Sequence, residues 1–128
     1  MLNMSGIKKT SAVTPNQILF NVDNQMSVGI KVAQAAGVTV GDRKIVKAGT
    51  PLNGDLAARG TSFKARADST APAVGVLLHD VDVTDGDGNG SLLIWGFVNL
   101  DRLESDAAAL ITATAKTELA GRVWFLKN

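Results

Sequence analysis

Asp85-Gly86-Asp87-Gly88-Asn89-Gly90 is the segment whose residue types and spacing come closest to a chemical motif. Oxygen side chains at alternate positions with Gly at the sixth match the opening of a calcium loop. A complete loop needs a bidentate Glu at its twelfth position. Counting from Asp85 puts Gly96 there, inside an apolar run. A hairpin turn accounts for the same residues, because Asp-Gly and Asn-Gly pairs supply the positive φ angles such turns require. Asp80 and Asp82 stand near enough in sequence to add a carboxylate. A calcium-dependent binding module using Asp85, Asp87 and Asn89 is therefore kept as the alternative reading, with no metal site in the leading one.

His79 is the only histidine and is followed by Asp80. Adjacent residues of a strand point to opposite faces, so Asp80 is not placed to orient the His79 ring as a catalytic base. Between Leu77 and Val81, His79 is expected to be a core or interface side chain. One His and no Cys cannot build the usual zinc ligand sets. The glycines of the acidic turn alternate with Asp, whose charge repels phosphate, and no Gly-Lys-Ser/Thr follows. The residues assemble no catalytic constellation, and the chain is expected to be neither an enzyme nor a cofactor carrier.

The elements that would position these residues read mainly as strands. Val28, Ile30 and Val32 alternate in one short strand, Val38 and Val40 in another, and Lys44 to Lys47 form a third after the Gly41-Asp42 turn. Residues 53–72 are polar and rich in Gly and Ala, and predict a loop with a short strand from Phe63 to Ala67. From Ala73, Leu77, His79, Val81 and Val83 fall on one strand face, with Val74, Val76, Leu78, Asp80 and Asp82 on the other. Past the acidic turn, Leu92, Ile94 and Val98 oppose Leu93, Trp95 and Phe97. A strand apolar on both sides must be covered on both sides, by a second layer or by a neighbouring subunit. Ser105 is the expected N-cap of one helix whose narrow face is Ala107, Leu110, Ile111, Thr114 and Ala115, ended by Gly121. Residues 122–127 predict a final strand that pairs back into the sheet.

Composition bounds what such a chain can do. Its 128 residues suffice for one core and not for two ordinary domains. Thirteen Lys and Arg against twelve Asp and Glu leave a net charge of +1, without the basic excess that phosphate binding demands. Six aromatic residues and no Tyr make no stacking platform for bases. Nucleic acid is not an expected partner. No apolar run has the length of a membrane span, and none has that of a signal peptide, so neither a membrane partner nor export is expected. Residues 1–25 lack a periodic face and read as an arm with one apolar patch, Ile18-Leu19-Phe20, expected to dock on the body of the domain or on a partner, and 26–128 as a single β-rich domain.

Three segments, KAGTPL at 47–52, AVGVLLHDVDV at 73–83 and GFVNLDRL at 96–103, carry a resemblance. Together they resemble the head decoration, or capsid cement, proteins of tailed bacteriophages, the lambda-type group, and the related bases of head fibres. The resemblance covers less than half of the chain, roughly 44–103, and rests on turn and core patterns rather than on an active-site signature. It implies a mainly β fold with one short helix, a β-rich α+β domain of the small β-barrel or β-tulip kind. It also implies a structural virion protein on the capsid exterior, assembled in the host cytoplasm, with the major capsid protein and itself, as a homotrimer, for partners. On that reading Ile18, Leu19 and Phe20 are the candidate capsid-binding anchors of the arm, and Trp95 and Phe97 the candidate trimer interface.

Overall fold

The computed structural model describes residues 18–19 and 25–127, and the rest of the expected arm, Phe20 included, lies outside them. Among the described residues nine strands and two α-helices follow in order: β1 (Met26–Val32), β2 (Val38–Val40), β3 (Arg43–Val46), β4 (Pro51–Asn53), β5 (Lys64–Ala65), β6 (Gly75–Leu77), β7 (Val81–Asp82), β8 (Gly88–Asn99), α1 (Ser105–Ala109), α2 (Ala113–Leu119) and β9 (Val123–Leu126). The protein is a β-rich α+β domain. A six-stranded sheet runs β1-β8-β6-β4-β5 with β9 on β8, and a three-stranded sheet runs β2-β3-β7. Every pairing is antiparallel except β8 with β9.

Both sheets are open, which corrects the expectation of a closed barrel. β4, β5 and β6 have two or three residues each, too few for a continuous ladder round a barrel wall. One isolated parallel bridge, Val32 to Phe63, reaches from β1 to the residue before β5 without extending into a ladder.

β8 is the longest strand and organises the rest. Leu92 and Leu93 are both fully buried, yet belong to different cores. Leu93 packs with Val76, Val98, Leu119 and Val123 under α2 and β9. Leu92 packs with Ile30, Val46, Leu77, Val81 and Val83 between the two sheets. Each buried side chain of this size contributes about 1.5–3 kcal/mol, so the middle of β8 supports both halves of the molecule. Gly75 on β6 is set by that closeness: a Cβ there would stand 2.5 Å from the Leu93 carbonyl oxygen and 2.6 Å from Leu92 Cγ.

Simple alternation fails along β8 at one point. Met26 pairs with Trp95 while Ser27 pairs with Leu93, so Ile94 is an extra residue, a β-bulge. Beyond it, alternation resumes one step out of phase. That is why Leu93 and Val98 share a core although the sequence places them on opposite faces.

The run 73–83 is similarly broken. β6 ends at Leu77 and β7 starts at Val81 in the other sheet, so 78–80 is a crossing segment. Leu77 and Leu78 are both buried there and His79 is exposed, which corrects the core half of its expected core or interface position.

The expected single helix is two. Thr112 Oγ1 accepts from Ala115 N at 3.2 Å and starts α2 afresh. Glu104, not Ser105, occupies the cap position of α1 and makes no capping bond. Its carboxylate and that of Asp106 instead accept from Lys47 Nζ, at 3.0 and 2.8 Å. Ala107, Ile111, Ala115 and Leu119 form the buried line of the helical region, with Thr114 exposed. Gly121 follows with φ +83°, and β9 returns to the sheet as expected.

Candidate functional site

The far end of β8 carries the largest exposed apolar feature of the described residues. Past the bulge, Trp95 and Phe97 turn to one face of the sheet. The parallel register sets Phe97 beside Trp124 of β9, and the two rings stack with centroids 5.1 Å apart at 23°. Trp95 stands edge-on to both, 5.9 Å from Phe97 and 5.7 Å from Trp124. The opposite face of the same segment is closed by Val98 and Val123 in the core. The rings therefore cannot turn inward, and Trp95 and Trp124 remain 40% and 37% exposed. Met26, the cross-strand partner of Trp95, is 59% exposed, and Leu126 lies two residues beyond Trp124 and is also exposed. None of these five side chains carries a charge. Edge-to-face and stacked rings are worth about 0.5–1.5 kcal/mol per pair, which holds the cluster rigid before anything touches it.

The expected trimer contact Trp95–Phe97 thus lies on a preformed aromatic surface. Trp124 belongs to it and was not foreseen, because a parallel pairing of the last strand with β8 leaves no mark in local periodicity. The described part of the Ile18-Leu19-Phe20 patch lies against the body of the domain. Ile18 is fully buried and Leu19 nearly so, in the core with Val98 and Leu119. Asn99 N donates to the Ile18 carbonyl at 2.8 Å, and Leu19 bridges Val98. These two side chains are spent on the chain's own sheet, where they complete the wall over β8.

The acidic turn is tied into the fold. Asp87 accepts from the Ser62 hydroxyl and from Gln34 N, the latter at 2.8 Å, and the Ser62 bond first, with the Gln34 bond after it, holds its carboxyl below the usual range. Asp82 accepts from Thr84 N at 2.9 Å and from Arg43 Nε at 2.8 Å. Its carboxyl is pushed down to about 2, first by Thr84 and then by Arg43. A cation in this turn would compete with Arg43 and with the Gln34 and Ser62 donors. Among the described residues no three His, Cys, Asp or Glu side chains converge as a metal site. Asp80 is directed away from His79 as well, accepting from Ala48 N at 2.8 Å.

A second ion pair fastens α2. Arg66 meets Glu118 through two nitrogens, Nε to Oε1 at 2.8 Å and Nη2 to Oε2 at 2.9 Å. Glu118 Oε1 also accepts from Ala73 N at 3.0 Å. The Arg66 bond first, and the Ala73 bond after it, lower the Glu118 carboxyl. This fork needs both partners in a fixed plane; it joins the 66–73 loop to the helix and leaves neither group available for chemistry.

No protein-family model matches the chain, and no curated protein is similar to it in sequence. Among the described residues no helix is long and apolar enough to cross a membrane.

Proposed function

We propose that the protein is a structural attachment protein, not an enzyme, and that it decorates the outer surface of an expanded bacteriophage capsid as a homotrimer. The exposed Trp95–Phe97–Trp124 cluster carries the reading. Aromatic side chains with few rotatable bonds, gathered on a rigid sheet end and backed by a filled core, are the usual anchors of protein interfaces. Their burial between protomers would place three copies of one β-rich domain around a common axis. Three weak capsid contacts held together in this way act at high effective concentration and attach firmly. A protein that binds the expanded shell and not its precursor stabilises the expanded state by mass action.

Co-sedimentation with undecorated shells tests the proposal. Saturable binding to expanded shells, in multiples of three per lattice site and without binding to unexpanded shells, is the expected result. Binding to neither shell would remove it.

A further inference from the structure

The edge strand β2 presents a second surface of different chemistry. Its register with β3 sets Val38 opposite Ile45, Thr39 opposite Lys44 and Val40 opposite Arg43, closed by the two-residue Gly41-Asp42 turn with Gly41 at φ +64°. Lys44 directs its backbone to the other side: its N donates to Thr84 Oγ1 at 2.8 Å and its carbonyl accepts from Val83 N at 2.8 Å. In an antiparallel pair the residue opposite then points both its own backbone groups away from the partner. Thr39 N–H and C=O therefore face outward on the free edge of the β2-β3-β7 sheet, with no strand beyond them among the described residues. Val38 and Val40 flank them, 41% and 45% exposed. The strand carries no proline, charge or bulge of the kind that blocks edge pairing.

Beside this edge lies a hollow of about 190 Å³ between Val38, Ala36, Thr50, Ala107 and Leu110, with the Lys47–Asp106 pair at its rim. That volume accepts one aliphatic side chain. The charges around it are one-sided. Lys47 is shared by Glu104 and Asp106, and Arg43, across from Val40, faces Asp82 with Asp85 close by. With Lys44 opposite Thr39 and Asp42 in the turn, three cations thus stand among five carboxylates, in a chain whose net charge is +1.

We infer that the β2 edge is a docking site for an extended, lysine- or arginine-bearing polypeptide segment of a partner protein. The segment adds as a fourth strand through the Thr39 backbone groups and seats one aliphatic side chain in the hollow. Strand addition draws affinity from main-chain hydrogen bonds and specificity from pockets for alternate side chains; this edge supplies both, and the acidic rim selects the sign of the charge. The site is remote in sequence from the aromatic cluster and stands independently of any capsid.

The test is a calorimetric titration of the full chain with a capped decapeptide of alternating threonine and valine ending in lysines, against the same peptide ending in glutamates. The lysine peptide is expected to bind saturably and at least about tenfold more tightly than the glutamate peptide, and Thr39→Pro to weaken it at least about tenfold. Val38→Lys, at an exposed position that does not disturb the core, is expected to weaken it similarly and guards against a Thr39→Pro variant that misfolds. Equal binding of both peptides, unchanged binding by the two folded variants, or no binding of the lysine peptide would overturn the inference. Self-association lost in Thr39→Pro, without peptide binding, would assign the edge to a second copy and overturn it as well.

Discussion

Two stretches of one strand, Leu92–Leu93 and Trp95–Phe97, have similar apolar composition and opposite fates. The first pair is sealed on both sides, by the second sheet on one and by α2 and β9 on the other. The second pair lies past a bulge, where only one side is filled and the rings collect on the other with Trp124. Hydrophobicity alone does not separate core from exposed surface. Register does, because one inserted residue decides which side chains meet the layers already present.

Truncation in the sealed stretch should be the most damaging change. Leu92→Ala or Leu93→Ala is expected to lower the unfolding free energy by about 2–5 kcal/mol, read by urea denaturation. A loss like that of a surface substitution would mean that the double burial is not the structural hinge of the fold. Gly75→Ala approaches the same place from the neighbouring strand. It should cost about 1–3 kcal/mol by overpacking against Leu92 and the Leu93 carbonyl, and the same denaturation curve checks it.

Smaller effects should come from the ion pairs. Glu118 and Asp82 have carboxyls lowered in the folded state, so each contributes stability that is complete above its unfolded pKa. That contribution is lost as pH falls through the folded value, for Asp82 down to about 2. Thermal melts from pH 6 to pH 2 should show a falling midpoint. Glu118→Gln should flatten part of that fall while lowering the midpoint at pH 6; an unchanged slope would show that the Arg66 fork does not link folding to pH.

At the open end the pattern should invert. Trp95→Ala is expected to cost the protomer only about 1 kcal/mol, the worth of its ring contacts, while removing association. A large loss of protomer stability would place Trp95 functionally with the core and erase the distinction between the two stretches.

Much of the strand pattern was legible in the sequence. Val28, Ile30 and Val32, the turn at Gly41-Asp42, the loop around Phe63 and the return of 123–126 all stand where local alternation and turn chemistry put them. Most of the failures share a cause, a contact distant in sequence. The bulge at Ile94 depends on β1, and the crossing at His79 on two sheets competing for one run. The split of the helix is the local exception, marked by Thr112, whose hydroxyl caps a new start. Ile18 and Leu19 read as anchors because they are apolar within a polar stretch; the partner they meet is the wall over β8. Of the aromatic site, two residues were visible and Trp124 was not, since only the parallel register brings it there.

Sedimentation equilibrium of the wild-type chain and of Trp95→Ala and Trp124→Ala variants tests the central claim most directly. The account predicts a trimer for the wild type and monomers for the variants, each with melting behaviour close to that of a folded domain. A monomeric wild type, or variants that remain trimeric, would contradict it.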